Sequence, residues 1–419
     1  MKKKYVWLFL LLTLAVIIVV FHSEIGSFLR HNFTATFGEL LFSDPVKQRT
    51  VYLKKHPKIL NIAVFGPWKY YARNGFMLDK AIQLAFDEVN AAGGVLGRSL
   101  QPVWVDNENY STIAQEDAEK LAADPSIFAV IGPVTSGRVL QFHAIFGDAG
   151  IPEVAPLAQS TRINREKNNP LLFMPIASDL DESRALAEWA EKNNRNGFLI
   201  LNDDSRFPMS YGSCVEQAFY DRNLQVYGRV LFDQNSSRNY IRDEVLKYLE
   251  YFPVQNIIYL TKTGDASDYV DLAERVFARL PEGTLYFNEF TSLNRLLKVH
   301  RNRDRIYMPA AIPLKKEFYP TLRKFLKING YERDFLSLIA YRSIHIFADA
   351  VRQTGALLPM KIADTMRKGV MKTPLGDFRF SPHGFEANPP LEILSLEKLD
   401  EQWKAVEAEA VSSGNASSF

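Results

Sequence analysis

The sequence predicts an α/β protein built on two doubly wound parallel sheets and preceded by an N-terminal transmembrane helix. From about Lys58, short apolar runs alternate with segments that carry apolar residues at three- and four-residue steps, a pattern typical of strands joined by helices. Eight apolar runs between residues 59 and 289 are too many for one small sheet, so two sheets are expected. Strands buried on both faces and joined by helices form parallel sheets with right-handed crossovers.

The N-terminus has the pattern of a membrane anchor. Residues 5–21, YVWLFLLLTLAVIIVVF, carry no charge and follow three lysines, Lys2 to Lys4. The stretch is at the short end of what spans a bilayer, and no small-x-small cleavage site follows it. We therefore favour an uncleaved signal anchor (residues 1–21) over a cleaved signal peptide. The lysines would stay in the cytoplasm, which places the rest of the chain on the far side of the membrane.

The elements of the two sheets follow a polar tether at residues 22–57. The predicted strands are residues 59–66, 100–106, 127–132, 151–156, 197–203, 224–232, 256–261 and 283–289. The predicted helices are residues 80–92, 113–124, 182–193, 211–222, 242–252 and 266–280. Ligands of such sheets bind beyond the carboxyl ends of the strands, so the polar residues that follow each strand are the candidate site.

We call the polar segment that follows the carboxyl end of a strand a tip. The first tip lies in AVIGPVTSGR, residues 129–138. Its two glycines, Gly132 and Gly137, have the spacing of a phosphate-binding loop, but Arg138 and the next residue stand where that motif needs lysine and a hydroxyl. Phosphate binding is therefore not expected. Thr135 and Ser136 open the following helix, where free backbone N–H groups and hydroxyls suit a carboxylate. An ordinary helix cap is the alternative.

Four further segments supply candidate ligand contacts. The tip EVAPLAQST contains Ala158 and Gln159, and Tyr211 stands at the start of a predicted helix. Glu289 ends a predicted strand and could pair with an ammonium group if it faces a cleft. A solvated side chain is the alternative. In the loop GPWKYYARNG, Trp68 and Tyr71 could line the cleft, although packing within a lid is the alternative.

Taken in order, these segments resemble the type I periplasmic binding proteins, in particular the leucine/isoleucine/valine-binding family of ABC-transporter substrate-binding proteins. The resemblance rests on ILNIAVFGPW, KAIQLAFDEVNAAGGVLGRSLQPVWVDNE, AVIGPVTSG, GIPEVAP, SYGSCVEQAF and TPLGDFRFSPHGF. It covers roughly residues 58–400. It implies two Rossmann-like lobes that are joined by three crossovers and close on a small molecule. The implied lobes are residues 58–176 with 310–373 and residues 177–309 with 374–410, followed by a flexible tail at 411–419.

The resemblance also implies roles for individual residues. Ser136 and the pair Ala158 and Gln159 match the positions that hold a ligand carboxylate, Tyr211 matches a tyrosine that precedes a glycine, and Glu289 matches the residue that takes the ammonium. Gln159 stands where the family has a threonine, and Arg138 replaces a small polar residue. The family's side-chain specificity therefore does not transfer to this chain.

Composition and motifs argue against other classes of function. Fifty basic and 48 acidic residues leave a net charge of +2, and no basic run beyond the start indicates nucleic-acid binding. The seven histidines form no metal-ligand spacing, Cys214 is the single cysteine, and no enzyme motif or cofactor is expected. We predict a bacterial protein with a single membrane pass and a binding domain in the periplasm or outside the cell. It would capture an amino acid or analogue for an ABC permease. The alternative is a membrane-tethered regulator on the same fold that senses a ligand or binds a protein partner in the envelope.

Overall fold

The computed structural model of the protein describes residues 45–107, 111–166, 169–232, 236, 238–261, 275–328, 330 and 333–414. The chain divides into two compact units, residues 1–56 and 57–419. Helix α1 (Pro45–Lys55) belongs to the first unit and occupies part of the predicted tether. The predicted anchor, residues 5–21, lies outside the described residues. Within the described ranges, no helix combines the length and the apolar character needed to cross a membrane.

The first sheet of the second unit contains five parallel strands in the order β2-β1-β3-β4-β5. Its strands are β1 (Ile59–Gly66), β2 (Ser99–Asp106), β3 (Ile127–Ile131), β4 (Glu153–Val154) and β5 (Leu172–Phe173). The associated helices are α2 (Trp68–Arg73), α3 (Leu78–Ala91), α4 (Ser111–Ala123), α5 (Ser136–Asp148) and α6 (Arg162–Glu166). All of β3 is buried, as expected for a strand covered by helices on both faces.

The second sheet contains six strands in the order β13-β10-β9-β8-β6-β7. Its first strands are β6 (Phe198–Asp203), β7 (Val226–Phe232), β8 (Asn256–Leu260), β9 (Thr284–Phe287) and β10 (Ile306–Ala310). The helices among them are α7 (Asp179–Lys192), α8 (Arg206–Tyr220), α9 (Arg238–Tyr251) and α10 (Leu293–Leu296). The inner strands are parallel, as predicted.

After β10 the chain contributes to both halves of the unit. It forms α11 (Tyr319–Ile328), α12 (Phe335–Thr354), α13 (Pro359–Lys368), β11 (Met371–Thr373), β12 (Gly376–Phe378), β13 (Glu392–Ser395) and α14 (Leu396–Gly414). Helix α12 packs on α3 and β11, whereas α14 packs on β10 and β13. Strand β13 joins the second sheet antiparallel to β10. The first residues of the predicted tail are helical because α14 runs to Gly414.

All eight predicted strands are present, although β4 is only two residues long. One boundary that affects the site was wrong. Helix α8 begins at Arg206, five residues before the predicted start at Tyr211. Pro208 lies in the first turn of this helix. Proline is tolerated there because its missing N–H would have no intrahelical partner. Residues 266–274 of the last predicted helix lie outside the described residues, and residues 275–279 are helical.

Candidate functional site

A cavity of about 590 Å³ lies where the carboxyl ends of strands from both sheets meet. The residues that line it follow β1, β3 and β4 of the first sheet and β6 and β9 of the second. They are Pro67, Tyr70, Tyr71, Thr135, Ser136, Gly137, Arg138, Gln141, Leu157, Ser205, Arg206, Phe207 and Phe290. This is the position at which doubly wound sheets bind their ligands.

The first turn of α5 forms one side of the cavity. Thr135 is the extended N-cap residue, and its side chain makes no capping hydrogen bond. Ser136 begins the helix and is buried, and its Oγ accepts a hydrogen bond from the backbone N–H of Ser160 at 3.2 Å. The first N–H groups of a helix have no intrahelical acceptor and carry a partial positive charge. The structure thus presents backbone donors to the cavity at the predicted tip.

Close packing of β1 against β3 sets the position of this tip. Gly132 directly follows the last residue of β3 and has a φ of +124°. A Cβ atom at this position would lie 2.0 Å from the carbonyl oxygen of Phe65. Only glycine fits this backbone conformation at this distance. Gly132 therefore allows the chain to pass β1 closely and enter α5 at the edge of the cavity.

Hydrogen bonds connect the second predicted tip, EVAPLAQST, to two helices of the second sheet, α7 and α8. Gln159 is fully buried, and its Nε2 donates to Glu182 Oε1 of α7 at 3.0 Å. Ser160 Oγ donates to Ser210 Oγ of α8 at 2.8 Å. Ala158 is also fully buried. Neither Ala158 nor Gln159 is among the described residues that line the cavity.

Tyr211 and Glu289 lie in a buried polar cluster with Glu182. The Tyr211 hydroxyl donates to Glu182 Oε2 at 2.6 Å. Burial, and then the neighbouring charge of Glu289, raises the pKa of the Glu182 carboxyl well above its usual range. Burial likewise raises the pKa of Glu289, which is 3% exposed and accepts no hydrogen bond of ordinary geometry from the described residues. Burial therefore makes the charged form of each carboxyl group less favourable than it is in water.

The structure brings three of the eight predicted ligand-binding residues to the cavity: Tyr71, Thr135 and Ser136. Trp68 is buried nearby, and its Nε1 donates to the carbonyl oxygen of Val64 at 3.0 Å. Trp68, Ala158, Gln159, Tyr211 and Glu289 are absent from the lining among the described residues. Their contacts with a ligand stay predictions.

Sequence reasoning missed the aromatic wall on the second side of the cavity. Phe207 lies in the first turn of α8, one turn before Tyr211, and its ring centroid is 4.9 Å from that of Phe290. Proline at position 208 was the available signal, because proline in a first turn marks a helix start shortly before it.

The cavity also holds two arginines, Arg138 on α5 and Arg206 on α8. Arg138 Nη1 donates to Gln141 Oε1 at 2.9 Å. Partial burial, and then the charge of Arg206, lowers the pKa of the Arg138 guanidinium. The two like charges therefore act on one another across the lining, and an anion between them would be stabilised.

Comparisons with known proteins agree with this architecture. Residues 70–242 match the model of the family described as periplasmic binding protein. The chain is 22% identical to the Leu/Ile/Val-binding protein homolog 1 of Brucella abortus, over 81% of this chain and 90% of that one. It is 25% identical or less to all the relatives compared, which are named as binding proteins and not as enzymes.

Solved structures show the same fold. An ABC transporter substrate-binding protein from Desulfitobacterium hafniense in complex with Leu has a TM-score of 0.66 at 18% identity, over 80% of this chain and all of that one. A solute-binding protein from R. palustris in complex with benzoate has a TM-score of 0.70 at 17% identity, over 81% of this chain and 93% of that one. The resemblance drawn from the sequence is therefore confirmed: residues 70–242 match the periplasmic binding protein model, and the chain has the fold of the branched-chain amino-acid ABC-transporter substrate-binding proteins.

Proposed function

We propose that the protein captures a small amino-acid-like ligand in the cavity between the two sheets and supplies it to an ABC-type uptake system. The observation that carries this proposal is the cavity itself, which takes its lining from the carboxyl ends of both sheets. Its volume of about 590 Å³ lies within the range of small-molecule sites. The similar proteins bound to Leu and to benzoate both hold a carboxylate.

Capture would occur by hinge closure of two lobes, residues 58–176 with 310–373 and residues 177–309 with 374–410. The membership of β10 and β13 in the second sheet supports this division, as does the packing of α12 on the first half. A ligand favours the closed state only by as much as it binds that state more tightly. Contacts with both lobes are therefore required.

The ligand carboxylate would bind at the first turn of α5. The N–H groups of a helix start are free to donate there, and the hydroxyl groups of Thr135 and Ser136 lie in the lining. Tyr71 would cover the ligand from helix α2, which follows β1. Because Ser136 already accepts the Ser160 N–H, its hydroxyl hydrogen stays available for donation to an anion.

We further propose that residues 5–21 anchor the chain in a bacterial cell membrane, with the binding unit in the periplasm or outside the cell. The uncharged apolar stretch behind three lysines supports this. The partner would be an ABC permease or another envelope protein. Attachment to the membrane keeps the binding unit close to either partner.

A thermal-unfolding screen of the purified full chain tests the proposed function. Amino acids, small amides and carboxylic acids are added one at a time. A ligand present at 100 times its dissociation constant should stabilise the folded state by about 2.7 kcal/mol. The matched variants Gly137→Ala and Gly137→Leu locate the effect, because Gly137 lines the cavity and the leucine side chain fills part of it.

Retained stabilisation in Gly137→Ala and its loss in Gly137→Leu are the expected results. A Cβ atom at Gly137 would lie 3.6 Å from Arg206 Cδ, an ordinary contact, so Gly137→Ala should fold. The unfolding curve of Gly137→Leu without added compound shows whether that variant folds too. If no compound stabilises the wild-type chain, solute capture is contradicted. A membrane-tethered regulator that acts through a protein partner then becomes the better account.

A further inference from the structure

The first turns of two helices from different sheets meet at one edge of the cavity. Helix α5 follows β3 of the first sheet, and helix α8 follows β6 of the second. A Cβ atom at Gly137, the second residue of α5, would lie 3.6 Å from Cδ of Arg206, the first residue of α8. The stem of the Arg206 side chain therefore lies against the first turn of α5.

This contact brings two guanidinium groups to the same part of the lining. Arg138 directly follows Gly137 in α5, and both arginines line the cavity. Partial burial, and then the charge of Arg206, lowers the pKa of the Arg138 guanidinium, so the two charges are close enough to interact. Among the described residues the lining contains no carboxylate, and the acidic residues before α8, Asp203 and Asp204, are not part of it. The lining beside the two helix starts is therefore positively charged.

Hydrogen-bond donors surround the two arginines. The hydroxyl groups of Thr135 and Ser136 line the cavity directly before Gly137, and the first N–H groups of α5 have no intrahelical acceptor. Ser205, the N-cap residue of α8, also lines the cavity, and its buried hydroxyl has no hydrogen-bond partner among the described residues. A buried hydroxyl without a partner costs free energy. An oxygen atom of a ligand at this place would accept hydrogen bonds from several of these groups.

The arrangement suits one anionic group that both arginines share. Because the two helix starts touch, the guanidinium groups belong to one region of the lining and do not mark opposite ends of it. The two like charges repel one another, whereas an anion placed between them is attracted to both. A guanidinium presents its N–H groups in a planar fork that matches the two oxygens of a carboxylate.

We infer that Arg138 and Arg206 together bind a single carboxylate of the ligand and so determine the specificity of the cavity for acids. This inference rests on the proposed function and deepens it, because it adds two specificity-determining side chains to the carboxylate contact at the start of α5. The two arginines belong to different proposed lobes. One carboxylate between them contacts both lobes and thereby favours the closed state.

The assignment concerns the anionic group alone. An ammonium group on the same ligand has a separate candidate partner in Glu289, which is buried and directly precedes the lining residue Phe290. Neither carboxylate oxygen of Glu289 has a hydrogen-bond partner among the described residues. Amino acids and simple carboxylic acids therefore both carry the group that the two arginines require.

Titration of the full chain with matched acids and amides tests the inference. Benzoate is compared with benzamide and leucine with leucinamide, and any other carboxylate that stabilises the chain in the thermal screen is compared with its amide. Each amide keeps the body of its acid but lacks the negative charge. In wild type we expect the acid to bind about 10-fold or more tightly than its amide, because only the acid accepts charge-assisted hydrogen bonds at both oxygens.

The arginine variants show which side chains provide this preference. Arg138→Gln and Arg206→Gln should each weaken binding of the acid about 10- to 100-fold and change binding of the amide about 3-fold or less. Arg206→Lys should recover part of the loss, because lysine keeps the charge but not the planar fork. The control Arg184→Gln removes a positive charge from an exposed position on α7 outside the lining and should leave both affinities unchanged.

Three results would overturn the inference and leave solute capture standing. The first is equal binding of acid and amide in wild type, or binding only of solutes that lack an anionic group. The second is a preference for the acid that persists in either glutamine variant, since that arginine would then not contact the carboxylate. The third is an equal loss in Arg184→Gln, which would indicate only a general effect of net charge. If no solute of any class binds, the proposed function fails together with the inference.

Discussion

A buried ion pair connects helix α12 to the segment after β5 and to the segment between β12 and β13. The guanidinium of Arg342 in α12 donates to both carboxylate oxygens of Glu386, at 3.1 and 2.7 Å, and to the carbonyl oxygen of Pro175 at 3.1 Å. The backbone N–H of Glu386 donates to the carbonyl oxygen of Ile176 at 3.0 Å. Arg342 therefore holds two neighbouring chain segments together from a single position on α12.

Removal of one partner should destabilise the protein strongly. The side chains of Arg342 and Glu386 are only 5% and 8% exposed, so Glu386→Leu leaves a buried guanidinium without its counter-ion. Such a change costs about 3–5 kcal/mol. With about 2.1 cal/mol/K of unfolding entropy per residue, a unit spanning residues 57–419 should lose about 4–7 °C in melting temperature.

Urea denaturation followed by tryptophan fluorescence measures the effect. The set comprises wild type, Glu386→Leu, Arg342→Met, the double variant and the control Lys372→Met. Lys372 pairs with Asp377 on the surface, where their side chains are 67% and 60% exposed, so the control should cost about 1 kcal/mol or less. The double variant should recover much of the loss because neither charge stays buried.

Two results would refute this reasoning. The first is a loss in Glu386→Leu no larger than that in Lys372→Met, which would mean that water or other groups solvate the remaining arginine. The second is a double variant that costs the full sum of the two single changes. Additive losses would show that the two side chains do not stabilise each other.

Two further predictions concern stability. Burial raises the pKa of Asp334, the N-cap of α12, to about 6. The folded state thus binds this proton more tightly than the unfolded state, and the stabilising contribution is complete below about pH 4 and lost as the pH rises through 6. The difference in unfolding free energy between wild type and Asp334→Asn should fall by about 3 kcal/mol across that interval, and a pH-independent difference in urea denaturation would contradict this assignment. Gly132→Ala should cost about 2 kcal/mol or more because of its positive φ and the clash with Phe65. Gly355→Ala, at φ +66° with open space around it, should cost only about 1 kcal/mol, so equal losses in the same assay would rule out the clash.

The parallel sheets were predictable because their strands carry a strong local pattern. Strands β1 and β3 are buried along nearly their whole length, and continuous apolar runs mark such strands in the sequence. Strand β5 was missed because it is only the two residues Leu172–Phe173. Strand β13 was missed because its residues are only partly buried, so hydrophobicity gives little indication of an antiparallel edge strand.

The site was predictable only where it depends on local chain geometry. Ser136 lies at the cavity because a helix begins directly after a strand, and the sequence shows that order of elements. Glu289 also ends a strand region, but its surroundings depend on Glu182 and Tyr211, which are brought to it by tertiary packing. No local pattern could indicate that this carboxyl is buried beside another one.

The central claim is that the cavity between the sheets binds a small solute, and titration calorimetry tests it most directly. The full chain, Gly137→Ala and Gly137→Leu are titrated with the compound that gives the largest thermal stabilisation. We predict one site per chain in wild type and in Gly137→Ala, and an affinity about 100-fold weaker or undetectable in Gly137→Leu, because the leucine side chain occupies space that the ligand needs. Equal affinity in all three proteins would contradict the account, since the solute would then bind elsewhere.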